Sequence, residues 1–206
     1  MPASPPSTTP TGWGGTSDAG GGLAGLPVSV NLSAAQLADP LLVPDIAALL
    51  ARHGMPARCL ELEITESQLM DNAGVAQGQL AALKQLGVQL SIDDFGTGYS
   101  SLAYLKRFAI DKLKVDKSFI RDMLASPADM AITRAIIGLG RTLGLQVVAE
   151  GVEDAATLRM LESLDCDEVQ GYLFSRALPP EALQRWVAEA AAQPPRSRRP
   201  VAAVDG

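Results

Sequence analysis

Six short runs rich in β-branched residues, each followed by a longer stretch of helical periodicity, constrain this chain more than any other feature. The runs are Val28–Val30, Cys59–Thr65, Val88–Ile92, Lys112–Val115, Gln146–Ala149 and Glu168–Leu173. Helices are expected over Ala34–His53, Ser67–Leu86, Ser100–Arg107, from Ser118 with an interruption near Ser126–Pro127, over Ala128–Leu143 and Asp154–Leu164, and from Pro180 onward. Gly54, Gly87 and Gly144 stand just past helical stretches, where a left-handed residue satisfies the last carbonyls. Pro180 opens the last helix at the position where a missing N–H costs nothing. Such alternation implies a parallel sheet covered by helices, either doubly wound or closed into a barrel.

The polar residues choose between these two. A doubly wound sheet gathers ligands at one switch point, whereas here nearly every strand ends in an acid or amide: Asn31, Glu63, Asp93 with Asp94, Asp116, Glu150 and Gln170. A ring of that kind is what the C-terminal face of a barrel produces. A closed (β/α)8 barrel has eight strands and usually about 250 residues, so 206 residues with six βα units imply an incomplete TIM-barrel-like α/β fold. Residues 1–26 are rich in Gly, Pro, Ser and Thr and 193–206 are Pro- and Arg-rich, so both are expected to be disordered tails around a folded part spanning 27–192.

Several function classes are set aside by composition. No run approaches the roughly eighteen apolar residues of a membrane helix, and the N-terminus lacks a basic-then-hydrophobic signal, which points to a cytoplasmic protein. A net charge of −6 with two Trp, three Tyr and four Phe argues against a DNA or RNA surface built on phosphate neutralisation and stacking. Cys59 and Cys166 read as small buried hydrophobes rather than a disulfide, and His53 as a surface or cap residue.

Asn31, Glu63, Asp93 and Asp94 are hard oxygen donors suited to Mg²⁺ or Mn²⁺. Each acid alone could equally be a helix cap. For Glu63 the strand alternation weighs against capping, because Glu61 and Glu63 share one face while Leu60, Leu62 and Ile64 share the other. With the leucines against helices, both glutamates point inward and need a cation or hydrogen bonds. Lys112 and Lys114 share a face in the same way, so Lys114 is placed to meet the carboxylates, either to orient water and stabilise negative charge or simply to satisfy a buried salt bridge. Glu150 and Glu153 can serve as ligand and general base around Gly151. The run from Asp93 to Leu105, DDFGTGYSSLAYL, reads as a loop that gates the acids; it carries no phosphate-binding glycine fingerprint.

Six motifs in order, VNLS at 30–33, ELEITE at 61–66, IDDFGTGYSSL at 92–102, KLKVD at 112–116, VVAEGVE at 147–153 and VQGYLFSRALP at 169–179, resemble the EAL-domain family of cyclic di-GMP phosphodiesterases. The resemblance runs from about Leu26 to Ala190. It implies a modified TIM barrel that hydrolyses cyclic di-GMP to linear pGpG with two Mg²⁺ or Mn²⁺ ions. By that resemblance Asn31, Glu63, Asp93, Asp94, Asp116, Glu150 and Gln170 form the metal and water centre. Lys114 positions the attacking water, Glu153 is a further active-site glutamate, and Glu66 holds the DDFGTGYSS loop.

The family pattern has two earlier strands, the second holding the Glu-Ala-Leu signature whose glutamate is itself a metal ligand. No such signature precedes Val28. The expectation is therefore a partial domain, N-terminally truncated, with six of eight strands and open edges at Val28–Asn31 and Glu168–Leu173. Two functional readings follow: a phosphodiesterase lacking one ligand, and a non-catalytic remnant that binds cyclic di-GMP or a partner protein. A homodimer through the DDFGTGYSSL loop and the helix after it is a further expectation from the resemblance.

Overall fold

A computed structural model of the chain describes residues 25–71, 73–98, 105 and 107–192. The expected tails therefore fall almost wholly outside the described residues, as does most of the helix expected over Ser100–Arg107. Residues from Gly25 to Leu173 form one compact unit. Phe174 to Ala192 belong to another, whose described regular element is the helix Pro180–Ala191.

Six strands, β1 (Val28–Asn31), β2 (Leu60–Thr65), β3 (Gln89–Phe95), β4 (Lys112–Val115), β5 (Gln146–Ala149) and β6 (Glu168–Val169), pair in sequence order and all in parallel. That order is the signature of successive right-handed βα units rather than of a doubly wound sheet. β1 and β6 are the outer strands, as the expected open edges require. Among the described residues the α-helices include α1 (Ala34–Leu37), α2 (Leu42–His53), α3 (Glu66–Asp71), α4 (Ala73–Leu86), α5 (Lys117–Arg121), α6 (Pro127–Leu143), α7 (Ala155–Ser163) and α8 (Pro180–Ala191).

The sequence reading differs at three places. The expected helix over Ala34–His53 is broken between Leu37 and Leu42, because Pro40 has no amide to donate; a capping box between Ser33 and Gln36 starts the short first piece. β3 continues to Phe95 instead of stopping at Ile92. β6 is only two residues long, and beyond it Gln170–Leu173 bond to the loop after β5: Val152 N–H donates to the Gln170 carbonyl and Leu173 N–H to the Val152 carbonyl, both at 3.0 Å. The Glu181-Ala182-Leu183 tripeptide lies within α8 and is no strand end.

Strand alternation sorts the interior. Leu62, Ile64, Leu90, Ile92, Leu113, Val115, Val147 and Ala149 are buried, forming the apolar layer between strands and helices with Leu69, Leu80, Leu83 and Ile137. On the opposite face Lys112 of β4 reaches Glu61 of β2 at 3.0 Å and Glu168 of β6 at 3.1 Å. One lysine can touch strands two places away on either side only if the sheet curls toward that face. The six strands therefore make an open, curled sheet, an incomplete barrel with a polar concave side.

Gly140 allows α6 to lie against β5, since a Cβ there would overlap the Val147 side chain. The two cysteines are free, Cys59 buried and Cys166 half-buried with its thiol donating to the Glu168 and Val147 carbonyls. His53 is exposed in the last turn of α2.

Candidate functional site

The C-terminal ends of β2 to β5 converge on one ammonium group. Lys114 Nζ lies 2.9 Å from Glu63 Oε1, 3.0 Å from Asp93 Oδ1 and 2.7 Å from Glu150 Oε1. The lysine is 5% exposed and Glu63 8% exposed, so these charges interact where water screens them little. Burial alone would lower the Lys114 pKa, yet the Glu150 and Glu63 carboxylates beside it outweigh that and hold it well above the usual lysine value. For Glu150 burial wins: its pKa is raised, against the pull of Lys114 and with the help of the Asp93 and Glu63 charges. Three carboxylates facing one ammonium leave two formal negative charges. Asp93 Oδ1 is buried, and its contact is the 3.0 Å ion pair with Lys114.

Asp94 stands beside this cluster through a backbone feature that simple alternation does not anticipate. A register shift between Ile92 and Phe95 and a left-handed Asp94, with φ of 52°, turn it from the opposite side of the strand toward Asp116 and Asp93. Burial and the charges of Asp93 and Asp116 raise the Asp94 pKa. Asp116 goes the other way: burial would raise it, but the Ser118 hydroxyl and N–H donate to its carboxylate and hold it below the ordinary value. Asp116 is thus both the N-cap of α5 and a neighbour of Asp94, so the capping and site readings are both realised.

The loop after β3 is held by Glu66 at the start of α3. Gly96 N–H donates to Glu66 Oε2 at 3.0 Å, and a Cβ on Gly98 would meet Glu66 Oε1 at 3.1 Å. Gly96 has φ of 101°, a conformation that favours glycine. Glu66 is 2% exposed.

The loop after β5 is wedged on both sides. Gly151, with φ of 72°, lies so near α5 that a Cβ would come within 2.6 Å of Lys117 Cβ, and a Cβ on Gly171 would overlap the backbone of Val152. Glu150 and Gln170 are thereby fixed relative to Asp116 through their neighbours. Gln170 follows β6 with its N–H donating to the Ala149 carbonyl at 2.8 Å. Asn31 ends β1 in register with Glu63. Glu153 is exposed and lines a cavity of about 90 Å³ with Ile120, Arg121, Gly151, Asp154 and Thr157.

The donors are the hard oxygens that Mg²⁺ and Mn²⁺ take, and the surplus negative charge on Asp93, Asp94 and Glu150 fits a cation. Among the described residues, however, no group of three or more acids, histidines or cysteines is arranged so that it could hold a metal ion as it stands. Lys114 holds the centre. The residues fit as donors, with an amine between them.

The sequence matches the EAL domain over residues 17–177. The chain belongs to the EAL-domain family. The match starts inside the Gly/Pro-rich stretch and stops ahead of α8. Among curated relatives, the cyclic di-GMP phosphodiesterase NbdA of Pseudomonas aeruginosa is 51% identical over 162 residues, covering 79% of this chain and 21% of that protein. The EAL-domain chain thus spans about a fifth of the length of the curated relatives it first matches. Among solved structures, the PaMucR phosphodiesterase in complex with c-di-GMP superposes with a TM-score of 0.74 at 46% identity, covering 76% of this chain and 64% of that one. The manganese and cy-diGMP complex of Klebsiella pneumoniae BlrP1 gives 0.68 at 35% identity, covering 73% and 38%.

The residues that sequence reasoning did not assign are those of the second ion network, Glu61, Lys112 and Glu168. Alternation had placed Glu61 and Lys112 inward. Glu168 carried the same signal, two residues before Gln170.

Proposed function

We propose that this chain carries a cyclic di-GMP site at the mouth of the curled sheet and that the chemistry of the site is hydrolysis of one phosphodiester to give linear pGpG. The observation that carries this reading is the convergence of Glu63, Asp93 and Glu150 on buried Lys114, with Asp94 and Asp116 adjacent, in a chain of the EAL family. In support, relatives with these printed activities and ligands match most of the chain.

Asn31, Glu63, Asp93, Asp94, Asp116, Glu150 and Gln170 would hold Mg²⁺ or Mn²⁺. When bound, such ions supply charge neutralisation at the phosphodiester and an acidified water. The chain's own residues do the rest. Lys114 offers a fixed positive charge to the nucleophile or to the phosphoryl oxygens as charge develops. Glu150 and Glu153, in the same loop, are the candidates to accept a proton. Glu66 holds the Gly96–Gly98 segment that flanks Asp93 and Asp94.

A second reading, binding without turnover, is favoured by one observation: Lys114 occupies three carboxylates that ligation would require. Incubation with cyclic di-GMP and Mn²⁺ separates the two. Formation of pGpG above a Glu63→Gln control supports hydrolysis; saturable binding in Ca²⁺ with no pGpG supports the second reading.

The remaining assignments belong to the same proposal: a domain within 27–192 between tails, a cytoplasmic location, no DNA or RNA duplex as partner, and a homodimer through the DDFGTGYSSL loop and the following helix, of which residues 99–104 and 106 lie outside the described residues. Among the described residues no helix is long and apolar enough to cross a membrane.

A further inference from the structure

We infer that Lys114 is the built-in counter-cation of the metal-free site, and that a divalent cation enters by exchanging with its ammonium rather than by adding to a ligand set that stands ready. The inference rests on the metal-binding reading above and goes beyond it by assigning what the cation must displace. Lys114 Nζ is within 2.7 to 3.0 Å of carboxylates from three strands, β2, β3 and the end of β5. Buried acids from three strands would repel one another strongly without it.

Its position accounts for how three largely buried carboxylates sit so close together, since Glu63, Asp93 and Glu150 all face the one amine. A divalent ion against the same oxygens would face that amine at contact range, in a setting that screens charge poorly. Part of the binding free energy is therefore spent on moving Lys114 away from Glu63, Asp93 and Glu150. The same contacts keep the acids close together and the strands in register while no ion is bound. Removing the ammonium should strengthen metal binding and weaken the metal-free fold, two effects of opposite sign from one substitution.

The test uses the full chain, stripped with EDTA and then titrated with Mn²⁺ alone, as wild type, Lys114→Met and Lys114→Arg. The expected result is Mn²⁺ affinity about tenfold or more higher in Lys114→Met, with a melting temperature depressed in EDTA and raised by Mn²⁺ further than in wild type. Lys114→Arg, which keeps the charge, should stay within about threefold of wild type. Equal or weaker Mn²⁺ binding by Lys114→Met overturns the exchange while leaving the metal reading intact; absence of Mn²⁺ binding in wild type and Lys114→Met alike overturns both. A measurement on the wild type does not depend on the variant folding: acylation of Lys114, followed by mass spectrometry, should be slow in EDTA and faster at saturating Mg²⁺. Unchanged Lys114 acylation with Mg²⁺ bound contradicts the exchange.

Discussion

Gly171→Ala should be among the most damaging single-methyl additions to this chain. A Cβ at Gly171 would overlap the Val152 carbonyl oxygen and amide nitrogen and lie 2.7 Å from the Val152 carbonyl carbon, so backbone rather than a flexible side chain has to move. Overpacking of this kind costs about 1–3 kcal/mol. The two hydrogen bonds that join these loops, from Val152 N–H to Gln170 and from Leu173 N–H to Val152, are stretched in the process, at about 1 kcal/mol each. The combined loss is about 3–5 kcal/mol, which for a folded region of this size lowers the melting temperature by roughly 6–20 °C. Gly138 supplies the control, because it is exposed on α6 with nothing within 4 Å of a Cβ. Gly138→Ala should stabilise by about 0.5–1 kcal/mol through helix propensity. Thermal melts followed by circular dichroism measure both. If Gly171→Ala melts within about 1 °C of its parent, the β5 and β6 loops are not in contact as described and the account of how Glu150 and Gln170 are positioned fails.

Other outcomes follow from the same geometry. Lys112→Met leaves Glu61 and Glu168 facing each other without their cation and should cost about 3 kcal/mol by urea denaturation. Burial lowers the Lys112 pKa, but the Glu61 and Glu168 charges outweigh it and raise the value. The stabilisation from Lys112 is then fully present below the unfolded lysine pKa of about 10.4 and is lost as pH rises through the folded one, so wild type should lose more stability than Lys112→Met above pH ~10.4. Burial pushes the Cys166 thiol up to about 12, so iodoacetamide at pH ~8 should label it far more slowly in the native chain than in urea; equal rates would place the thiol in water. Glu66→Ala removes the acceptor of the Gly96 N–H and should speed hydrogen exchange at that amide about tenfold or more, with unchanged exchange counting against a loop-holding role.

Much of the site was legible because a strand has a period of two. Glu61 and Glu63 against Leu62 and Ile64, and Lys112 and Lys114 against Leu113 and Val115, could be assigned to faces from spacing, and the lysines do meet the acids. Asp94 was not legible in that way. Its orientation depends on a register shift and a positive φ, and neither leaves a sequence signal except the glycines that follow. Glu153 was grouped with Glu150 by proximity in sequence, yet it lines a cavity with Arg121 and Thr157 while Glu150 joins Lys114. Helix ends were readable where a left-handed glycine marks them, as at Gly54 and Gly144. The break at Pro40 was readable in principle, since proline cannot continue that helix, but the apolar periodicity on both sides masked it. The shortness of β6 reflects tertiary contacts, because Gln170–Leu173 bond to the Val152 loop rather than to a strand.

The central claim is that the acids around Lys114 receive cyclic di-GMP together with a divalent cation. Calorimetric titration of the full chain with cyclic di-GMP in Ca²⁺, beside Asp93→Asn and an EDTA control, tests it most directly. Saturable binding by wild type, weakened about tenfold or more by Asp93→Asn and abolished by EDTA, is the predicted result. A cooperatively folded wild type that binds no cyclic di-GMP, or binding that Asp93→Asn and EDTA leave unchanged, would contradict it.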